Sequence, residues 1–308
     1  MAIDVGWELY RSFLSVLREG SLSGAARALG ITQPTVGRHI DALEEALGLA
    51  LFTRSQTGLL PTETALALRT YAESMDSTAA ALKRAAESHG EGVQGTVRVT
   101  ASEVIGAEVL PPLLARLQDE HPRLKVELVT TNRVQDLLRR EAEIAVRMTP
   151  PQQDLLVARR VGEVAIGLHG HERYLARRGL PRTPRELADH ALIGYDEETP
   201  FVRAARQALP VETRKIFTRE AFALRTDSDL AQLALIRAGC GIGACQVALA
   251  QRDPALVRVL PRHFELKLET WVTMHEDLRS SPRCRVTFDA LVKGLSSYVA
   301  GAPTAGDP

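Results

Sequence analysis

The stretch FLSVLREGSLSGAARALGITQPTVGRHIDALEEALGLALFTRS, residues 13–55, decides the fold of the first part of the chain. Apolar residues at helical spacing predict a first helix over about residues 7–18 and a third helix over residues 33–47, with a shorter helix, GAARAL, between them. Gly30 supplies the turn before the third helix, and Thr32 caps its start. The pattern therefore predicts three short helices joined by tight turns.

The third helix has an apolar face and a polar face. The apolar stripe consists of Val36, Ile40, Leu43 and Leu47, and the polar side chains off that stripe are Gln33, Thr35, Arg38 and His39. A short helix, a glycine turn and a second helix with polar side chains in its first half is the geometry that enters the major groove of DNA. A plain three-helix core without a role in DNA binding also fits this pattern.

Residues 13–55 resemble the N-terminal domain of LysR-type transcriptional regulators. The resemblance rests on the Ala-Ala pair, the LGITQP turn and the LEEALGLALFTR run. It implies a winged helix-turn-helix over residues 1–61, with the recognition helix near 33–47 and a wing across 51–61. The positions that the family uses to contact double-stranded promoter DNA are Gln33, Pro34, Thr35, Arg38 and His39 in the recognition helix, and Arg54 in the wing, at backbone phosphate. Gly37 stands where the family usually has Ser.

The charge of this region is unusual for a DNA-binding domain. Residues 1–60 carry five Arg and six acidic residues, a net charge of −1, and the whole chain balances 38 basic against 38 acidic residues. DNA-binding domains usually show a basic surface. We therefore expect weak non-specific binding by one domain, with affinity arising from several domains acting together. The alternative is a ligand-binding oligomeric module without specific DNA recognition.

A long helix is expected to follow the wing, in a linker over residues 62–90. Residues 62–88 contain neither Gly nor Pro, and Leu68, Ala72, Met75, Ala79, Leu82 and Ala86 form a heptad seam. The seam fits either a helix packed on its own domain or a dimerisation helix. The family resemblance favours dimerisation and implies a homodimer or homotetramer. Three glycines within residues 89–95 predict a hinge after the helix.

From residue 96 onward, β-branched runs alternate with amphipathic runs, which predicts an α/β domain with a largely parallel sheet. The stretch GTVRVTASEVIGAEVLPPLLARLQDEHPRLKVELV, residues 95–129, resembles the start of the effector-binding domain of the same family. That resemblance implies a two-lobed α/β domain, similar to periplasmic solute-binding proteins, with a small-molecule effector in its cleft. We place it over residues 91–300, with lobe one at 93–163 and 267–300 and lobe two at 164–266. Residues 301–308 are expected to be a disordered tail.

The physics of parallel sheets suggests where the effector binds. Ligands lie beyond the carboxyl ends of strands, where helix N-termini present backbone N–H groups. The leading candidates are Ser102, Thr131 and Thr226, followed by Glu103, Arg147, Cys245 and Gln246. Each of them fits equally well as a helix cap or a loop residue. Helix termini suit a carboxylate ligand, whereas Glu103 facing the cleft would favour an amine or a hydroxyl.

Other signals are set aside. The run Gly239–Ala244 fits a dinucleotide pattern, but it follows a helix where the fingerprint follows a strand, so we interpret it as a helix end before a buried strand. His169 and His171 flank a glycine without further ligands at metal spacing, which indicates a solvated turn. Nothing in the sequence predicts an enzyme, a cofactor or a metal site. We find neither a signal peptide nor a membrane span and expect a soluble, cytoplasmic protein.

Overall fold

The computed structural model describes residues 5–55, 58–86, 92–132, 141–151 and 155–301. The chain divides into two compact units, and the first contains the residues up to Ala86. Within the described ranges, the helices are neither long nor apolar enough to span a membrane.

Where the structure describes it, the first unit contains four helices and a hairpin. These are α1 (Trp7–Glu19), α2 (Leu22–Leu29), α3 (Gln33–Leu47), β1 (Phe52–Ser55), β2 (Gly58–Pro61) and α4 (Glu63–Ala86). Each of the first three helices ends at a glycine with φ near +68°, a conformation that suits glycine and halts the helix. The side chains of Ser21 and Thr32 cap α2 and α3. The antiparallel pair β1–β2 forms the wing, so the predicted winged helix-turn-helix is confirmed.

The start of α4 belongs to the core of this unit. Ala65 and Ala72 are buried with Phe13, Leu14 and the apolar stripe of α3, and Leu68 packs against the same cluster. Farther along, Met75 is 41% exposed and Leu82 is 75% exposed. The predicted seam therefore packs on its own domain at its beginning and presents apolar side chains to solvent toward its end.

The second unit alternates strands and helices. They are β3 (Gly95–Ala101), α5 (Leu110–Glu120), β4 (Leu124–Thr130), β5 (Ile144–Arg147), β6 (Leu156–His171), α6 (Glu172–Arg178), β7 (Leu192–Gly194), α7 (Pro200–Gln207), α8 (Val211–Arg214), β8 (Phe222–Arg225), α9 (Asp229–Arg237), β9 (Ile242–Gln246), α10 (Val247–Ala250), β10 (Leu256–Val259), β11 (Glu265–His275) and α11 (Pro282–Val299). A π-helical turn, Ile105–Val109, precedes α5.

Among the described residues, nine strands form one continuous sheet that runs through both lobes. Its order is β4-β3-β5-β11-β6-β9-β7-β8, with β10 also paired to β6. The expected parallel pairing occurs at both ends, in β3–β4, β3–β5, β7–β8 and β7–β9. In the middle the sheet is antiparallel, because the long strands β6 and β11 cross between the lobes side by side. The expectation of a largely parallel sheet is therefore wrong, since four of the eight strand pairs among the described residues are antiparallel.

Separate apolar cores lie in the two lobes. The core of lobe one packs α5 and α11 against β3 and β5, and that of lobe two surrounds Leu168, Leu187 and Phe264. The proposed lobe boundaries, 163/164 and 266/267, fall within the crossing strands β6 and β11.

The crossing strands contain an irregularity. The β6–β11 register shifts between Thr270 and Trp271, where Val161 is the extra residue on β6. The neighbouring Gly162 has φ +134°, and a Cβ there would lie 2.6 Å from a methyl carbon of Val299 at the end of α11. Only glycine fits this position.

His169 and His171 correct one expectation. They lie on β6, and both are buried rather than in a solvated turn. A Cβ on Gly170 between them would lie 3.3–3.4 Å from side-chain carbons of Leu175 and Ile242, which is a tight fit inside the sheet. The interpretation of Gly239–Ala244 is confirmed, since Gly239 has φ +74° after α9 and the segment leads into buried β9. Residues 89–91 of the predicted hinge and residues 302–308 of the tail lie outside the described residues.

Candidate functional site

The N-terminal half of α3 presents polar side chains to solvent. Gln33, Pro34 and Arg38 are exposed, while Thr35 is half-buried. The Thr32 hydroxyl accepts a hydrogen bond from the Thr35 backbone N–H at 3.4 Å, and Arg38 Nη2 donates to Thr35 Oγ1 at 3.4 Å. This side of α3 therefore offers an amide, a hydroxyl and a guanidinium group together, which is the donor set that reads base edges.

Two other predicted DNA contacts are His39, also on α3, and Arg54, in the wing. The His39 ring is half-buried, and its Nδ1 is 2.7 Å from Ser12 Oγ on α1, so one side of the ring is engaged inside the domain. Arg54 lies on β1 opposite Leu59, and its side chain is outside the described part of the structure. At Gly37, an added Cβ would meet only Leu22 at 3.9 Å, so packing does not require glycine there.

Glu44 joins the recognition helix to the wing. Its Oε1 accepts hydrogen bonds from the backbone N–H groups of Leu51, at 2.6 Å, and Phe52, at 3.1 Å. A carboxylate that accepts two backbone donors fixes the strand at the point where the wing begins. Sequence reasoning assigned Glu44 no role beyond its charge.

The second unit contains a cavity of about 510 Å³, within the range of small-molecule sites. Lobe one contributes Ser102, Val104 and Met148 to its wall. Most of the wall comes from lobe two and from the crossing strands, with apolar side chains that include Ile193, Val202, Phe217, Phe222, Leu233 and Leu266. The cavity therefore begins between the lobes and extends into lobe two.

Hydrogen bonds join the two lobes beside this cavity. Ser228 Oγ donates to Glu103 Oε2 at 3.1 Å, and Asn132 Nδ2 donates to Asp229 Oδ2 at 2.9 Å. Tyr195 donates its hydroxyl to the other Asp229 oxygen at 2.6 Å. Burial raises the pKa of Asp229, and the nearby Glu103 carboxylate raises it further. The hydrogen bonds from Tyr195 and Asn132 lower this pKa, but burial outweighs them.

A second interlobe contact is an ion pair. Arg237, at the end of α9, donates from both terminal nitrogens to the Glu108 carboxylate at 2.8 and 3.0 Å. Hydrogen bonding to Arg237 lowers the pKa of Glu108. Arg252 Nη1 donates to the Glu108 carbonyl at 3.2 Å. These contacts hold the π-helical turn of lobe one to the helices of lobe two.

The predicted effector residues fall into three groups. Ser102, Cys245 and Gln246 line the cavity. Glu103 and Thr226 lie at the lobe junction, where both contact Ser228. Thr131 and Arg147 lie in lobe one and are not part of the cavity wall.

Internal bonds engage the two residues of the third group. Thr131 donates its N–H to the Ala101 carbonyl at 2.9 Å. Arg147 donates to the Val146 carbonyl at 2.9 Å and to the Thr100 hydroxyl at 2.8 Å, and burial lowers its pKa to about 10.

Cys245, on the cavity wall, forms a buried, uncharged pair with His169. Cys245 Sγ lies 3.2 Å from His169 Nδ1, and the same nitrogen is 2.9 Å from the Gly167 carbonyl. A carbonyl only accepts, so Nδ1 carries the proton. Burial raises the pKa of the thiol to about 12, and burial together with the Arg258 charge lowers the pKa of the imidazole to about 4.

Sequence reasoning missed the part of the wall formed by α7 and by Tyr195 and Asp229. Asp229 directly follows Ser228, whose side chain caps α9, and a serine before an apolar helical run is a signal that the sequence offers. Nothing local marks α7 as part of a cavity wall. Among the residues that the structure describes, no cluster of three or more His, Cys, Asp or Glu side chains is arranged to hold a metal ion.

Comparisons with known proteins cover both units. Residues 7–66 match the model of the bacterial regulatory helix-turn-helix protein, lysR family, and residues 90–296 match that of the LysR substrate binding domain. The HTH-type transcriptional regulator CrgA of Neisseria meningitidis serogroup C is 26% identical over 293 residues, which is 94% of this chain and 97% of the relative. The probable HTH-type transcriptional regulator LtrA of Klebsiella pneumoniae is 25% identical over 299 residues, covering 94% and 95% of the two chains.

Two solved structures are similar to this chain over nearly its whole length. The structure of CrgA from Neisseria meningitidis matches with a TM-score of 0.59 at 26% identity, over 94% of this chain and 98% of that one. The crystal structure of CbnR, a LysR family transcriptional regulator, matches with a TM-score of 0.63 at 18% identity, over 96% and 99% of the two chains. The second likeness shows a shared fold.

Proposed function

Because the chain belongs to the LysR family of DNA-binding transcriptional regulators, we propose that it binds specific promoter DNA under the control of a small molecule held between the lobes of its second unit. The observation that carries the proposal is the exposed polar face in the N-terminal half of α3, on a helix whose other face is buried. In this proposal the protein acts by binding and not by catalysis.

Each residue of the proposed DNA interface has a distinct role. Gln33, Thr35 and Arg38 meet base edges in the major groove, with Arg38 the strongest discriminator because a guanidinium pairs with guanine through two hydrogen bonds. Pro34 lies in the first turn of α3 and brings the backbone close to DNA. His39 contributes through the side of its ring that faces away from Ser12. Arg54 meets backbone phosphate in the wing.

Oligomerisation supports DNA binding in this proposal. One N-terminal region with a net charge of −1 attracts DNA weakly, whereas two linked domains bind with a high effective concentration. We propose that the exposed apolar side chains Met75 and Leu82 of α4 are covered by a second copy, giving a homodimer or a homotetramer. Light scattering of Leu82→Glu tests this, since a buried charge at that position would shift the protein to smaller assemblies. An unchanged mass contradicts the role of α4.

The interlobe contacts provide a route for control. A ligand shifts an equilibrium only through different affinities for the two states. A molecule that enters beside Ser102 would alter the bonds that Ser228 and Asp229 make across the lobes, and so the relative stability of the lobe arrangements. Among the predicted effector residues, we assign direct contacts to Ser102, Cys245 and Gln246, and indirect roles to Glu103 and Thr226. Thr131 and Arg147 are assigned to the support of lobe one.

The experiment that tests the proposal is a DNase footprint on the DNA upstream of the gene that encodes this chain. It includes a scrambled DNA and a salt series, because non-specific binding falls steeply with salt. We expect protection with two-fold half-sites on the natural DNA only. Arg38→Ala is expected to weaken that binding by about tenfold to a hundredfold. Arg262→Ala, which removes an exposed arginine from the second unit, serves as the charge-matched control.

The outcomes separate the proposal from its alternative. Equal weak binding to both DNAs, by the parent and by Arg38→Ala, would favour a ligand-binding oligomer without specific DNA recognition. If specific binding is unchanged in Arg38→Ala, the proposed regulatory function stands, but the assignment of the DNA-contacting face of α3 is contradicted.

A further inference from the structure

We propose that the ligand of this cavity is a largely apolar, uncharged molecule that carries a hydroxyl or carbonyl oxygen, and that it binds mainly inside lobe two beneath helix α7. The inference rests on the proposed function, which places the regulatory ligand in this same cavity. It goes further by assigning the chemical class of the ligand and the part of the wall that selects it.

The wall deep in lobe two is apolar and aromatic. The rings of Phe217 and Phe222 lie 6.1 Å apart and those of Phe217 and Phe264 lie 5.2 Å apart, and all three line the cavity. Ile193 and Leu233 are almost fully buried beside them. Gly194 leaves room for the Phe222 ring, since a Cβ there would lie 2.4 Å from it. Such a wall favours an apolar body, which gains free energy in proportion to the area removed from water.

The charges on the wall exclude a carboxylate. Among the described lining residues there are two guanidinium groups and five carboxylates. Arg219 is paired with Asp196 at 2.6 Å, and Arg206 is paired with Glu198. A negatively charged ligand would therefore meet a surplus of negative charge and cations that are already neutralised, and its desolvation would go uncompensated.

Two unpartnered atoms define the polar group of the ligand. On the wall, as far as the described residues extend, Ser102 Oγ and Arg206 Nε are buried and make no hydrogen bond. Buried polar groups are nearly always paired, so an unpaired donor indicates a partner that binds there. Arg206 Nε only donates, and it therefore requires an acceptor. A hydroxyl or carbonyl oxygen supplies one, whereas an ammonium group does not.

Helix α7 covers the cavity from the solvent side. None of its eight residues is buried, although Phe201, Val202, Ala205 and Arg206 line the cavity. Surface ion pairs from Arg203 and Arg206 to Glu198 hold it, and such pairs contribute only about 0–1 kcal/mol each. A helix with so few buried contacts is drawn from the least stable part of a fold.

The test measures binding of four matched probes to the full-length protein by isothermal titration calorimetry near neutral pH. They are 4-phenylbutan-1-ol, 4-phenylbutan-1-amine, 4-phenylbutanoate and butylbenzene, which share an apolar body and differ in the polar group. We expect the alcohol to bind about tenfold more tightly than the amine, the carboxylate or the hydrocarbon. A carboxylate or an amine that binds as tightly as the alcohol overturns the proposal, as does an alcohol that shows no saturable binding.

Two neighbouring alanines give a matched pair of variants. Ala205 lines the cavity, whereas Ala204, next to it on α7, is exposed and does not. Ala205→Trp is expected to weaken the alcohol about tenfold by filling the cavity, and Ala204→Trp to leave its affinity within about twofold. Equal effects of the two variants overturn the location. If Ala205→Trp does not fold, as judged by circular dichroism, Val202→Phe on the same wall takes its place with the same expectation.

A DNA footprint with and without the alcohol separates this inference from the proposed function. Absence of probe binding together with specific DNA protection overturns only the ligand class. Saturable alcohol binding without any change in DNA affinity upholds the cavity and contradicts its regulatory role.

Discussion

Acidification is predicted to destabilise the second unit through one buried imidazole. His169 lies on β6 between β9 and β10, is 2% exposed, and faces the Arg258 guanidinium and the uncharged Cys245 thiol. Burial and the arginine charge lower its pKa from 6.5 to about 4. The unfolded chain therefore binds a proton at this residue over a pH range in which the folded protein does not. The stability contributed by neutral His169 is fully present above its pKa in the unfolded chain, and it is lost as the pH falls toward its lower pKa in the folded protein.

The size of the effect follows from the two pKa values. Near pH 7 the imidazole is mostly neutral in both states, and its contribution to the pH dependence is only about 0.2 kcal/mol. Near pH 5 the unfolded form is almost fully protonated, and the linkage relation gives a loss of about 2 kcal/mol. For a protein of ordinary stability, about 5–15 kcal/mol, that is a large fraction of the total.

The assay compares His169 with a residue that donates a hydrogen bond and does not titrate. In a Trp7→Phe background, Trp271 on β11 is the only tryptophan and reports urea unfolding of the second unit. The parent is expected to lose about 2 kcal/mol more than His169→Gln between about pH 7 and pH 5, at one fixed protein concentration. Equal losses, within about 0.5 kcal/mol, would refute the assignment of a neutral, buried imidazole.

Three further outcomes are expected. Glu44→Ala leaves two backbone N–H donors at the start of the wing without their acceptor, and it is expected to lower the free energy of urea unfolding by about 1–3 kcal/mol. The control is Glu45→Ala, which changes an exposed neighbour. Equal losses in the two variants contradict the anchoring role. Glu108→Gln removes the charge of a partly exposed interlobe ion pair, so thermal unfolding is expected to show a stability lower by about 1 kcal/mol than that of the parent. This difference should shrink toward acidic pH, because the pKa of Glu108 is lowered in the folded protein and the parent loses the ion pair when the carboxylate is protonated. A difference that grows on acidification contradicts this. A thiol reagent is expected to modify half-buried Cys240 first, since the Cys245 thiol is buried with a pKa near 12; a fast phase that persists in Cys240→Ser rules this order out.

The sequence predicted the first unit well because its signals are local. Side chains cap α2 and α3, and α1, α2 and α3 each end at a glycine within a few residues of the predicted position. The apolar stripe of α3 also follows from spacing alone. The anchor at Glu44 was missed because its partners are backbone N–H groups, which have no signature in the sequence.

The cavity was only partly predictable, because its wall is assembled from distant segments. The rule that ligands bind beyond strand ends gave Ser102, Cys245 and Gln246, which line the cavity. It also gave Thr131 and Arg147, which bond within their own lobe and lie outside the cavity wall. Helix α7 could not be predicted as part of the wall, since a short amphipathic helix looks the same over a cavity as over solid core. His169 was misread because a glycine beside two histidines resembles a turn, whereas here the glycine relieves crowding inside a sheet.

The bulge at Val161 and Gly162 has a mechanical consequence for the way the two lobes move. The lobes are connected by β6 and β11, which are hydrogen-bonded to each other over most of their length. Bending one lobe against the other at a hinge would break these hydrogen bonds. Twisting about the strand direction leaves those bonds intact, and the compliance to torsion is greatest where the ladder is interrupted. Val299 lies so close to Gly162 that a Cβ there would be 2.6 Å from one of its methyl carbons, so we expect the end of α11 to limit rotation of one lobe against the other.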